Sequence, residues 1–154
     1  MKKELKIIAF VLGGIFVFVV GMMVMSGMSP IGLGLHSAVM NKDGLALDGY
    51  DVTTYFNEPL QKGKEEFSYE LDGQKWLFTS EENVILFKSN SANFKPQFGG
   101  YCTKAISAGI VAPSNPTCYT IHNEKLYIFS ADEIKTEFLA NPKGLIESCE
   151  ANWE

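Results

Sequence analysis

The chain has no arginine, and all thirteen of its basic residues are lysine. It therefore lacks the planar guanidinium fork that grips phosphates and guanine edges. Beyond residue 6, ten lysines face seventeen acids, a net charge of −7. Such a surface repels a polyanion, so no nucleic-acid partner is expected. Histidine is scarce too, with only His36 and His122, too few for a dedicated imidazole metal site. Three cysteines leave an odd count, so at most one internal disulfide can form. The possible pairs are Cys102 with Cys118, Cys102 with Cys149, and Cys118 with Cys149, and none has the Cys-x-x-Cys spacing of a thiol oxidoreductase. The Gly-x-Ser-x-Gly, His-Glu-x-x-His and Gly-x-x-x-x-Gly-Lys patterns are missing, which removes the groups that common hydrolases, zincins and nucleotide-binding loops require. There is no internal repeat.

Charge is also absent from Ile7 to Met25, a run of nineteen residues. A helix of about 20 apolar residues crosses a bilayer core, so this run can span one. Lys2, Lys3 and Lys6 precede it against Glu4 alone, and the next basic residue is Lys42. That bias places the N-terminus in the cytoplasm and the rest outside, in a periplasm or at a cell surface. A cleaved signal peptide is the competing reading. Its apolar region is usually shorter, about 7–15 residues, and Val24 and Ser26 would make a poor Ala-x-Ala site. The expected division is a cytoplasmic end at 1–6, a transmembrane anchor at 7–28, a flexible linker at 29–43 and one domain at 44–154. Gly27, Ser29, Pro30, Gly32 and Gly34 break helices and suit a tether.

The exported part carries eight Phe, six Tyr and two Trp after residue 40, large buried area for a small core. Phe67, Tyr69 and Leu71 alternate with polar residues up to Asp72-Gly73, a tight-turn pair, and Trp76, Leu77 and Phe78 follow, which predicts a β-hairpin. A second hairpin is expected from Tyr119–His122 and Lys125–Phe129 around Asn123-Glu124. Ser80 suits the cap of a helix that starts with Glu81 and Glu82 and turns Val84 and Phe87 inward. Ser130 and Glu133 read as a capping box for a helix carrying Ile134 and Phe138. After Pro142 and Gly144, the residues Leu145, Ile146, Cys149 and Trp153 recur at helical spacing. The fold class is α+β: a small single domain of two β-hairpins packed by helices, preceded by one N-terminal transmembrane helix.

The most unusual local chemistry lies in Phe94-Lys95-Pro96-Gln97-Phe98-Gly99-Gly100-Tyr101-Cys102. Two glycines let the backbone turn sharply and bare its N–H groups before an expected helix. Cys102 would then sit in the first helical turn, where unpaired N–H groups and nearby Lys104 stabilise a thiolate. It is the candidate reactive or metal-binding sulfur; the plain alternative is a small buried hydrophobe. Cys149 reads as core and Cys118 as a possible resolving partner for Cys102.

Leu45-Ala46-Leu47-Asp48-Gly49-Tyr50-Asp51-Val52, Tyr55-Phe56, Trp76-Leu77-Phe78, Gly99-Gly100-Tyr101-Cys102 and Lys125-Leu126-Tyr127 resemble, in this order, the exported YHS-domain proteins. The resemblance spans about residues 44 to 154. Relatives elsewhere in that superfamily look like small metal-binding modules with a Phe-Cys-Ser-x-x-Cys pattern after the first hairpin. Here the matching stretch is Phe78-Thr79-Ser80-Glu81-Glu82-Asn83, with Thr79 and Asn83 where those thiolates would stand. A soft-metal site of that design lacks its ligands. The family also includes members described as selenoproteins, and the resemblance implies that Cys102 matches the selenium position, which favours a redox role.

Other candidates have ordinary explanations. Asp48 and Asp51 bracket Gly49-Tyr50 as a possible hard-cation or acid–base pair, but a turn and a helix cap also want them. Glu65-Glu66 and Glu81-Glu82 read as solvated charge. His36 with Met22, Met23, Met25, Met28 and Met40 has Cu(I)-compatible chemistry, yet most of these methionines fall in the apolar run, where they serve as lipid-facing bulk. His122 is expected to face water. The leading expectation is a membrane-tethered extracytoplasmic binding module in which Gly99, Gly100, Tyr101 and Cys102 line a small pocket that takes a small ligand or a metal ion, binding rather than turning over. The alternatives are a thiol redox protein or sensor using Cys102, and a structural interaction domain.

Overall fold

The computed structural model describes residues 2–57 and 59–153. Met1, Glu58 and Glu154 lie outside it. So do the side chains of Lys2, Lys3, Leu5 and Val24, on which part of the expected charge bias and the poor cleavage site rest. The apolar run forms helix α1, Lys2–Ser26. Within it, Lys6–Met23 is long and apolar enough to cross a membrane, and none of that stretch is buried against the rest of the chain. The helix has 25 residues, or about 37 Å of rise, against roughly 30 Å of bilayer hydrocarbon. Gly27 ends it in the left-handed conformation, φ 65°, the usual task of a glycine just past a helix.

The expected linker is laid against the domain rather than free of it. Strand β1, Ser29–Pro30, leads into a 3-10 turn, Ile31–Leu33, and after a short excursion the chain enters β2, Asn41–Lys42. Val39 and Met40, 4% and 6% exposed, are core residues. The glycine, serine and proline content that suggested looseness is satisfied instead by tight turns and edge pairing.

Strand β3, Leu45–Ala46, is followed by a 3-10 turn, Leu47–Gly49, and by the short helix α2, Thr54–Asn57. The first expected hairpin comes next, as β4, Lys64–Leu71, and β5, Gln74–Phe78, antiparallel with Leu71 opposite Gln74. Asp72 and Gly73 at its tip both have positive φ, 56° and 70°, the geometry a two-residue hairpin turn needs. The sheet is wider than a hairpin: β5 also pairs in parallel with β3, and β2 adds outside β3, in the order β2-β3-β5-β4.

Helix α3, Glu81–Ser89, starts where Ser80 accepts a hydrogen bond from the Asn83 N–H at 3.3 Å, and it buries Val84 and Phe87. The Phe87 ring packs 5.0 Å from Trp76 and 5.2 Å from Phe78. Then come α4, Ser91–Phe94, a 3-10 bend at Gln97–Gly100, α5, Thr103–Ser107, and β6, Ile110–Val111, which pairs antiparallel with β1.

Strands β7, Asn115–His122, and β8, Lys125–Phe129, are antiparallel around Asn123 and Glu124, both at positive φ. Helix α6, Asp132–Ala140, follows Ala131 with no side-chain cap. The expected capping box therefore does not form, because the helix begins one residue later than Ser130 needs. In α7, Pro142–Trp153, proline takes the first helical position, where its missing N–H is harmless.

The core has two clusters, and β8 lies between them. Leu126 and Ile128 join one with Leu47, Val52, Trp76, Phe78 and Phe87; Tyr127 and Phe129 join the other with Ile106, Phe138 and Cys149. This is the two-residue period of a strand buried on both faces. Val39 and Met40, side by side in the chain, likewise enter different clusters.

Candidate functional site

Three consecutive residues of the 3-10 bend, Phe98, Gly99 and Gly100, take left-handed φ values of 53°, 62° and 76°. The glycines are required by close approach as well as by φ. A Cβ on Gly99 would lie 2.5 Å from the Ala38 carbonyl oxygen, and one on Gly100 would lie 2.8 Å from Leu47 Cδ2. The bend is thus a seat for the segment that comes up from α1. The Met40 N–H donates to the Gly99 carbonyl at 2.7 Å, and the Ser114 hydroxyl donates to that of Gly100 at 2.6 Å.

Tyr101 follows, its ring 5.9 Å from that of His36 and 6.2 Å from that of Trp153, and its hydroxyl donates to the Ser37 carbonyl at 3.1 Å. It borders a cavity of about 460 Å³ whose other walls include Met40, Lys42, Asp48, Pro113 and Ser114. Of the four residues expected to line a pocket, Tyr101 alone borders this one; Gly99 and Gly100 support it through backbone contacts, and Cys102 does not reach it.

Cys102 stands at the cap position before α5, which is only five residues long. Its N–H is not bare but donates to the Ala112 carbonyl at 3.1 Å, and its thiol, in a side chain 4% exposed, meets the Ser130 hydroxyl at 3.5 Å. Cys118 and Cys149 are buried, and all three cysteines are free. The Cys118 thiol donates to Asp132 Oδ1 at 3.4 Å, and burial, then this carboxylate, pushes its pKa up to about 11. Burial pushes Cys149 up to about 12, with Cys102 adding to the effect, and its thiol donates to the Thr103 carbonyl at 3.2 Å.

Asp51 and Asp48 separate in role. Asp51 is fully buried. Its Oδ1 accepts from the Thr53 N–H and hydroxyl at 3.0 and 2.7 Å. Its Oδ2 accepts from the Thr79 N–H at 2.7 Å, the Thr79 hydroxyl at 2.9 Å and the Asn83 amide at 2.8 Å. The two positions that lack the expected metal thiolates are thus the hydrogen-bond partners of one buried carboxylate, which ties the turn before α2 to the start of α3. Asp48 has φ 54°, an uncommon conformation that Asp tolerates better than most residues, and turns to the cavity.

His36 is half-buried, its ring 5.2 Å from Trp153, and its Nδ1 has no hydrogen-bond partner among the described residues. His122, expected in water, is half-buried with its ring 6.0 Å from Phe138, because the hairpin end folds over α6. No group of three or more His, Cys, Asp or Glu side chains able to hold a metal ion occurs among the described residues. A separate cleft of about 620 Å³ lies between the Phe56–Asn57 end of α2, the Asn90–Phe94 segment and the Asn123–Lys125 turn, and none of the residues expected to line the site borders it.

Sequence reasoning missed Lys42 and Ser114 in the cavity wall. Lys42 carried one usable signal, as the first basic residue after the apolar run; Ser114 carried none. Compared with protein-family models, curated proteins and solved structures, the chain matches none.

Proposed function

We propose that this protein is a membrane-tethered, extracytoplasmic binding module of the YHS type, with its ligand site in the cavity bordered by Tyr101, Lys42, Asp48 and Ser114. The observation that carries the reading is the contrast between that open cavity, furnished with one cation and one carboxylate, and a neighbouring thiol closed off by packing. Concave sites of a few hundred Å³ with a few polar groups are the usual form of small-ligand sites. The residues shared with exported YHS-domain proteins support a binding module, and the helix long and apolar enough to cross a membrane supports the tether. The metal version has less support, since Thr79 and Asn83 serve Asp51 instead of a metal. The redox version has less as well, since Cys102 and Cys118 are both buried, and burial, then the Asp132 carboxylate, pushes the resolving thiol up to about 11.

Native mass spectrometry of the full chain released from membranes tests the site. The expected result is a small-molecule adduct that the double variant Lys42→Gln, Asp48→Asn loses and Cys102→Ser keeps. An adduct that Cys102→Ser alone removes, or binding of added Zn(II) or Cu(I) that depends on Cys102, would move the function to the thiol. Alkaline phosphatase fused to the C-terminus tests orientation: activity is expected, and an inactive fusion would place the domain inside.

A further inference from the structure

The cavity beside Tyr101 shares a wall, Gly27, with a second and apolar one. This smaller groove, about 180 Å³, is lined by Val20 and Met23 of α1 and by Met28, Leu33 and Leu35 just beyond it. The two differ in chemistry: hydrocarbon along the helix, then Lys42, Asp48, the Tyr101 ring and the Ser114 hydroxyl. Their junction is the first residue after the helix that is long enough to cross a bilayer. If that helix spans, the junction lies at the depth where acyl chains meet headgroups. The apolar side chains around it are correspondingly uncovered, with Met25 91%, Met28 44%, Leu33 59% and Leu35 70% exposed.

We propose that the two cavities together hold one glycerophospholipid with a zwitterionic, primary-amine headgroup. The proposal rests on the tethered binding module described above and names its ligand class. The start of one acyl chain lies along Val20, Met23 and Leu33, the phosphate faces Lys42, and the ammonium faces Asp48, whose carboxylate accepts the N–H hydrogen bonds that a primary ammonium offers and a quaternary one does not. Among the described residues neither Lys42 nor Asp48 has an ion-pair partner, so each is free to take a ligand charge. The net charge of −7 beyond residue 6 disfavours an anionic lipid, and the paired opposite charges select a headgroup that carries both signs.

The test uses the full chain, delipidated in mild detergent, with thermal melting read as phosphatidylethanolamine, phosphatidylcholine or phosphatidylglycerol is added. Phosphatidylethanolamine is expected to raise the midpoint at the lowest concentration. Asp48→Asn should weaken that response about tenfold and abolish the preference over phosphatidylglycerol; Lys42→Gln should weaken the response to all three lipids. Asn tolerates the left-handed φ of residue 48 and Lys42 is exposed, so both variants should melt normally without lipid. Equal stabilisation by all three lipids, or responses unchanged in both variants, overturns the proposal. Free phosphoethanolamine acting as strongly as the lipid overturns its acyl part. Alkaline extraction of membranes is the separate check on the tether: a full-length chain that washes off defeats that reading whatever the lipid series shows.

Discussion

Met40 is the residue at which a docked segment and a free linker differ most. Its side chain is 6% exposed within the second core cluster, its N–H bonds the Gly99 carbonyl at 2.7 Å, and its sulfur accepts from the Ser114 N–H at 3.3 Å. Truncating a buried Met to Ala costs about 2–4 kcal/mol, the lost transfer energy plus the cavity left behind. The structure supports the lower part of that range, because Met40 also walls the open cavity beside Tyr101, and the space it vacates joins that cavity instead of forming a sealed void. Whole domains are stable by only about 5–15 kcal/mol, so the change is large, roughly a 10 °C drop in melting midpoint. Gly32→Ala, eight positions earlier and with nothing within 4 Å of the added Cβ, should stay within about 0.5 kcal/mol. Urea unfolding followed by tryptophan fluorescence suits the measurement, since Trp76 belongs to the first cluster and Trp153 packs against the second. Equal midpoints for Met40→Ala and Gly32→Ala would show that the segment is a tether after all.

Asp51→Asn keeps the shape of the side chain but turns one acceptor into a donor. Whichever oxygen is replaced, a buried N–H of Thr53 or Thr79 loses its partner, and with the hydroxyl or amide bonds lost beside it the cost is about 2–4 kcal/mol. Asn83→Ala, which leaves Oδ2 two other donors, should cost less by chemical denaturation, and the reverse order would refute the network. Gly99→Ala meets both positive φ and an oxygen 2.5 Å away, whereas Gly73→Ala meets positive φ alone. The first should therefore destabilise clearly more than the roughly 1 kcal/mol of a left-handed alanine, and equal losses would deny the close approach. Stability should fall as pH rises. The unfolded thiols ionise near their ordinary pKa of 9.0, while folded Cys118 and Cys149 hold their protons to about 11 and about 12. The folded state thus binds more protons above about pH 9, and stability declines through that window. Urea midpoints for Cys118→Ala should decline less steeply; an identical slope would remove this thiol from the account.

Local signals in the sequence were readable and distant ones were not. Asp72-Gly73 and Ser80 each fix a turn or a cap with neighbours two or three residues away, and the helix bearing Cys149 and Trp153 shows in its own spacing. The mixed α and β class follows from such pieces. Ser130 misled because the capping residue type sits one position too early, a shift that local pattern does not resolve. The Ser29–Val111 and Pro30–Ile110 pairings reach across about eighty residues, and nothing near Ser29 announces them. Asp51 and Asp48 look alike in sequence, three residues apart. Only the arrival of Thr79 and Asn83 from 28 and 32 positions away makes one structural and leaves the other facing the cavity. For the candidate site, Tyr101 was legible as part of a glycine bend, while Lys42 and Ser114 come to it from segments with no motif.

A strand with hydrocarbon on both sides makes the domain cooperative. Because Leu126 and Ile128 pack on one half and Tyr127 and Phe129 on the other, neither half can open without stripping a wall from its neighbour. Deep amides in both halves should then exchange with solvent at a common, global rate, and a molecule gripped at the membrane end would slow exchange as far away as the first hairpin.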